Sequence, residues 1–274
     1  MRFPRIYLWP VCFLLLGLAG MTGCQPCTPP PAGLVGWWRA EGDFTDSAGN
    51  NAAQITTATF GQGEVGQAFV LNGRGQCVEM TAASTAEQIE DNLTIEMWIQ
   101  RANPTNVTFN GGYNYQNAQL ADNGWQIYGL SISGVSQNGI ITTNGTLTFG
   151  RPGTDGVFSQ QVMVTDTNWH HVAVTKSGTD VWFYVDGVGE RQYYPRGSIP
   201  FNFSRTDPNS PDGHFDFTIG AFGDTGGSSF WGGIDEVGVY NRVLSSNEIA
   251  AIYRAGPAGK CVGPIPPSIA ARQP

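Results

Sequence analysis

From residue 34 onward the chain alternates short runs of β-branched and aromatic residues with clusters of Gly, Asn, Asp, Pro and Ser. The runs fall at 69–71, 78–80, 93–99, 124–132, 139–143, 147–149, 161–164, 170–176, 181–185, 215–219 and 234–240, and each predicts a strand. Short strands at this rhythm suit a two-sheet sandwich. The run at 181–185 closes on Asp186-Gly187, a pair that favours a tight antiparallel hairpin. One segment breaks the pattern. Ser245-Ser246-Asn247-Glu248 reads as a capping box, Leu244 can staple onto Ile249, and Ile249, Ile252 and Tyr253 make an apolar face before Gly256-Pro257. This predicts one short C-terminal helix packed over the sandwich. No internal repeat is seen.

Composition agrees. With 37 Gly, 17 Pro, 13% charged and 12% aromatic residues, the chain is poor in helix formers and rich in turn formers and sheet-packing side chains. All-β is the expected class, and a folded part of about 225 residues forms a large core as one domain. The net charge of -8, or -10 without Arg2 and Arg5, excludes nucleic acid as a partner, since phosphates need a basic face.

Residues 1–23 have the form of a signal peptide: Arg2 and Arg5, an apolar run at 11–19 too short to span a bilayer, then small residues. Gly23-Cys24 resembles the bacterial lipobox, with Met21 where Leu is usual. The resemblance implies export and lipidation of Cys24, on the outer membrane or cell surface, or secretion if the signal is cut conventionally. Residues 24–33 are a Pro-rich tether, 34–258 the domain, and 259–274 a Cys-containing Pro-rich tail, expected to be disordered beyond Cys261. Cys24 and Cys27 match C-x-x-C, but between a signal core and a proline run rather than at a strand-to-helix turn, a poor redox setting.

Five segments occur in an order that resembles the laminin G-like, concanavalin A-like jelly roll. They are Gly33-Leu34-Val35-Gly36-Trp37-Trp38, Gly66-Gln67-Ala68-Phe69, the strand at 93–99 around Thr94-Ile95-Glu96, the pair from Trp169-His170-His171-Val172-Ala173 to Tyr184-Val185-Asp186-Gly187, and Ile234-Asp235-Glu236-Val237 running on to Ser245. The resemblance implies an antiparallel two-sheet jelly-roll sandwich whose members usually bind sugars or surface ligands and do not catalyse. Related domains carry cysteines at both edges, which implies a Cys27–Cys261 bridge in an oxidising compartment and leaves Cys77 a buried free thiol.

Residues 61–66 match G-x-G-x-x-G but open no helix, so a turn is expected. His170 and His171 should face apart on a strand, and a packed histidine is the better reading. Neither a G-x-S-x-G elbow nor the E-x-D-x-x-E pattern of glucanases that share the sandwich occurs, and Asp235 and Glu236 would face apart unless a bulge intervenes. The acidic loop at 41–51 is dense in calcium-type oxygens, so Glu41, Asp43 and Asp46, with Asp235, are the expected ligands of a structural calcium, as in related domains; an Asx-type turn is the plainer alternative. For sugar stacking the candidates are Tyr113, Tyr115, Trp125, Tyr128, Tyr193, Tyr194 and Trp231, while Trp37, Trp38, Trp98, Trp169 and Trp182 are assigned to the core. Long loops at 103–117 and 201–213 are the expected binding regions. The expected function is a non-catalytic, membrane-anchored binder of carbohydrate or another cell-surface ligand. The alternatives are a structural or adhesive envelope protein with a protein partner, and a degenerate glycoside hydrolase.

Overall fold

A computed structural model describes residues 26–49, 51–80, 89, 91–110, 117–123, 128–135, 144–151, 155–197, 217–222 and 227–263. The first sheet runs β13 (Val188–Tyr193), β12 (Asp180–Val185), β11 (Trp169–Ser177), β6 (Leu93–Arg101), β15 (Trp231–Tyr240), β4 (Gln67–Asn72), β3 (Thr59–Gln62). β1 (Leu34–Trp38) joins it along the second half of β15, beyond the stretch that β4 pairs. The second sheet runs β10 (Asp155–Met163), β9 (Thr146–Arg151), β8 (Gly129–Ser133), β7 (Asn117–Asp122), β14 (Thr218–Ile219), β5 (Val78–Met80), β2 (Ala53–Thr56). Neighbours within both sheets are antiparallel. The β12 and β13 strands turn on Asp186 and Gly187, both at positive φ, in the tight hairpin that Asp-Gly favours.

The core lies between the sheets, where Trp38 stacks on Phe217 and Phe44, Phe60 and Phe69 pack together. A second, smaller cluster lies outside the first sheet. There α1 (Ser246–Ala255) buries Ile249 and Ile252, with Leu244, against Ala173, Tyr184 and Tyr240. Both arms of its capping box form. Trp37, Trp38 and Trp98 are buried as expected, whereas Trp169 and Trp182 are only half-buried.

Five strands have no counterpart among the predicted runs: β1, β7 and, at sheet edges, β2, β3 and β13. An edge strand needs little apolar burial and is often charged. Glu190 of β13 shows what such a charge does: its carboxylate accepts the backbone N–H groups of Gln160, Gln161 and Val162, where β10 leaves the register of β9. It thereby ties the edges of the two sheets together. Of the other two, β7 carries Asn, Gln and Asp, and β1 is the Leu34–Trp38 segment. The run expected at 124–132 is strand only from 129, with 124–127 outside the described residues, as is the run at 139–143.

The termini are tied by the Cys27–Cys261 disulfide, flanked by a parallel bridge between Thr28 and Lys260. Cys77 is buried and free, and burial pushes its thiol pKa up. The tie delivers Lys260 into a buried ionic cluster. A bulge between Asp235 and Gly238, with Glu236 at positive φ, opposes two residues to one on β6. Ile234, Val237 and Val239 face the core, so Asp235 and Glu236 both turn outward; the bulge overrides strand alternation. Lys260 Nζ lies 2.9 Å from Glu96 Oε1 and 3.1 Å from Glu236 Oε2, and His171 Nε2 sits 3.1 Å from Glu96 Oε2. Trp37 Nε1 donates to Glu236 and the Tyr240 hydroxyl to Glu96. Burial alone would push Lys260 down, but the two carboxylates outweigh it and hold its pKa above the usual lysine value.

Candidate functional site

The surface feature best built for a ligand is an aromatic ledge assembled from three separate segments. Trp231 opens β15, Phe109 lies in the loop after β6, and Gly73 and Arg74 follow β4. Backbone bonds lock them: Gly73 N–H donates to Phe230 O, Phe109 N–H to Gly73 O, and Trp231 N–H to Val107 O. The Phe109 and Trp231 ring centroids are 4.5 Å apart, and the Arg74 guanidinium lies 4.3 Å from the Phe109 centroid. Gly73 has φ +71, and a Cβ there would come 2.8 Å from the Trp231 Cβ. Only glycine therefore lets the turn close over the rings. Phe109 is 44% exposed, enough to offer a ring face or edge to a ligand.

The seven sugar-binding candidates separate. Trp231 is half-buried and in the ledge, and Tyr193 is exposed on edge strand β13. Tyr128 and Tyr194 are corrected to core residues: both are buried, and Tyr194 donates its hydroxyl to Asp155. Tyr113, Tyr115 and Trp125 lie outside the described residues, as does Cys24. Arg74 was missed because its Asn-Gly-Arg-Gly setting signals only a turn.

The four expected calcium ligands do not meet. Asp46 caps its own loop, accepting from Trp37 N, Ala48 N, Asn51 N and Asn51 Nδ2, and Asp43 accepts from Thr45 N and Oγ1. The Asx-type turn describes both. Glu41 and Asp235 do come together, on either side of the 63–66 turn that joins β3 to β4: Glu41 faces Gly66 and Gln67, and Asp235 Oδ2 accepts from Val65 N at 2.9 Å. Burial pushes Asp235 up to about 8, with Glu236 and Glu41 adding to it, and its Oδ1 is buried without a hydrogen-bond partner. Among the described residues no three His, Cys, Asp or Glu side chains are grouped to hold a metal. Of the four expected ligands, only Glu41 and Asp235 lie at one turn.

Two other features are weaker. An open pocket of about 650 Å³ runs along edge strand β2, lined by Phe44, Asp46, Asn51, Ala53 and Thr56, but the Asp46 oxygens there are already engaged. On the outer face of the second sheet, Glu79, Thr218 and Asp122 form a row across β5, β14 and β7, and all three are buried.

The histidines have unlike roles. His171 is fully buried against Glu96, whereas His170, paired one register step away, is half-exposed, with Nδ1 2.7 Å from Asp186 and Nε2 3.0 Å from Asp166. The bond to Asp186, with help from Asp166, pushes His170 up to about 9. Because the folded value is raised, its stabilisation is full below the unfolded value near 6.5 and is lost as pH rises through about 9. We expect the stability of the protein to fall by about 1–2 kcal/mol across that window, after allowance for solvent around Asp166. His170→Gln should flatten the slope in urea melts at pH 6, 7.5 and 9; an unchanged slope would show that the imidazolium is not stabilised.

Fold and site together define a jelly-roll domain with an aromatic ledge on its surface. A family profile described as the concanavalin A-like lectin/glucanases superfamily matches residues 72–250, and the chain belongs to that superfamily. The name spans lectins and hydrolases, so membership leaves binding and catalysis both open. No curated protein matches the chain in sequence. Among solved structures it is similar to domain 4 of AbnA, a GH43 extracellular arabinanase from Geobacillus stearothermophilus in complex with arabinotriose, with 18% identity and TM-score 0.51, covering 80% of this chain and 97% of that one. It is also similar to the Trypanosoma rangeli sialidase (17% identity, TM-score 0.54, 85% of this chain, 35% of that one). A third is the binding domain of Paraclostridial Mosquitocidal Protein 1 (16%, TM-score 0.57, 81% and 52%). At these identities the likeness is one of fold, and the chain spans about a third of the sialidase and half of the toxin domain's chain.

Proposed function

We propose that the protein is an exported, non-catalytic carbohydrate-binding domain, anchored by a lipid on Cys24, that seats a sugar ring on the Phe109 and Trp231 ledge. The observation that carries this reading is the ledge itself: rigidly held, exposed aromatic surface beside a cation, the chemistry that sugar faces and hydroxyls require. The structural neighbour solved with arabinotriose supports the ligand class. A binding role rather than hydrolysis is favoured because Glu96, the carboxylate of the family-like strand, is locked to Lys260 under α1, and the Glu79 and Asp122 pair is buried. Screening the purified protein and its Trp231→Ala variant on a polysaccharide and glycan array tests this. Signals lost in the variant are expected; no signal, or equal signals, would reject it.

A protein partner is the second reading, favoured by exposed Phe158, Val188 and Tyr193 on neighbouring edge strands β10 and β13. Anchoring predicts that Cys24→Ala releases the protein from the membrane fraction, and retention there would contradict it.

Calcium belongs to the same proposal, now with Glu41 and Asp235 and neighbouring backbone oxygens as its ligands. Chelation should then lower the melting temperature, by an amount set by free calcium relative to its dissociation constant. Asp235→Asn should abolish the response, whereas Asp46→Ala should destabilise with or without calcium. A melt indifferent to both EDTA and added calcium would remove the ion from the account.

A further inference from the structure

The charge balance of the surface narrows the ligand, a step that rests on the carbohydrate-binding reading. Ten lysines and arginines lie among the described residues, and eight of them are matched. Arg39, Arg151, Arg191, Arg196 and Arg242 lie beside carboxylates, as do Lys176 and Lys260, and Arg101 donates to Val164 O and Asn144. Arg254 occupies the last turn of α1, where the helix dipole favours a cation. Among the described residues Arg74 alone has its guanidinium beside no carboxylate, carbonyl, amide oxygen or helix end, and it is exposed.

Its position is nonetheless fixed. Asn72 Oδ1 accepts the Arg74 N–H at 2.9 Å, Gly73 and Gly75 both take positive φ, and the guanidinium packs on the Phe109 ring. A guanidinium placed over a ring still has N–H groups free to fork a carboxylate or sulfate. An unpaired cation in a chain of charge -8, beside the aromatic ledge, is a feature that neither packing nor solubility requires.

The geometry points to an anionic sugar as the ligand, a ring bearing a carboxylate or sulfate that rests against Trp231 and Phe109 while Arg74 forks the anion. The overall negative charge does not forbid this. At physiological salt the Debye length is about 8 Å, so distant carboxylates are screened while a direct fork is not. A charge-assisted pair of this kind is strong enough to give about tenfold preference over a neutral ring.

The test compares the affinity of the protein for polygalacturonate, a carrageenan and neutral galactan by affinity electrophoresis. We expect about tenfold tighter binding to one or both acidic polymers at low salt, with the preference shrinking at 0.5 M NaCl. The two acidic arms separate carboxylate from sulfate recognition. Arg74→Gln should bring the acidic-to-neutral ratio near one, and Arg74→Lys should restore it only in part. Equal affinity for galactan would overturn the anionic ligand, and a preference that survives Arg74→Gln would overturn the Arg74 fork; either result would leave sugar binding standing. Retention by none of the three, together with a blank glycan array, would overturn both.

Discussion

Lys260→Met is expected to destabilise the protein by about 3–5 kcal/mol, the cost of leaving a buried charge without its partner. Lys260 is the ammonium that approaches both Glu96 and Glu236, and all three side chains are 2% exposed or less. Methionine keeps most of the volume, so the loss reports charge and not a cavity. Glu96 is held below the usual carboxylate range, against the upward push of its own burial, by Lys260 and His171. Without the lysine it must take up a proton or draw in water. Urea unfolding should therefore show a large loss for Lys260→Met and a partial recovery for Lys260→Met with Glu96→Gln. A loss under 1 kcal/mol would mean that water reaches and solvates the cluster.

The second large effect concerns the disulfide. The bridge closes a loop with a sequence separation of 234, and in the chain-entropy account removing so long a constraint costs about 5 kcal/mol, less whatever structure the reduced chain retains. The adjacent residue is Lys260, and Cys261 N–H donates to Thr28 O at 2.8 Å. Freeing Cys261 therefore also loosens the hold on the lysine. Replacing both cysteines with serine and combining this with Lys260→Met should cost less than the sum of the separate effects, because the two changes act on one segment. Strict additivity would show that the lysine docks without help from the bridge.

Much of the architecture was legible in the sequence because the inner strands and the helix announce themselves locally. Residues 93–99 and 170–176 are apolar enough to be read as buried strands, and Ser245 with Glu248 marks the helix start within four residues. The edges were not legible. β2, β3 and β13 bury little, so their Thr, Gln and Arg residues read as loop, and nothing near Glu190 in sequence indicates that it caps N–H groups about thirty residues away.

The site shows the same division. Trp231 stood out as an aromatic next to glycines, but the ring it meets and the cation over that ring come from 109 and 74, and only the sheet topology joins them. Density of oxygens in 41–51 suggested a calcium cage, whereas Asp43 and Asp46 spend their oxygens on their own loop. Conversely Asp235 and Glu236, expected to face apart, share one face because of a bulge that needs Glu236 at positive φ, a backbone state with no sequence mark here.

The central claim is that sugar meets the protein at Trp231. The most direct measurement follows the indole N–H signals of the seven tryptophans that follow the signal segment, by NMR in protein labelled at tryptophan, during titration with an oligosaccharide drawn from array hits. The Trp231 signal is predicted to shift saturably while those of the buried Trp37, Trp38 and Trp98 stay in place. Saturable binding that leaves the Trp231 signal unmoved would contradict the account and place the sugar elsewhere on the domain.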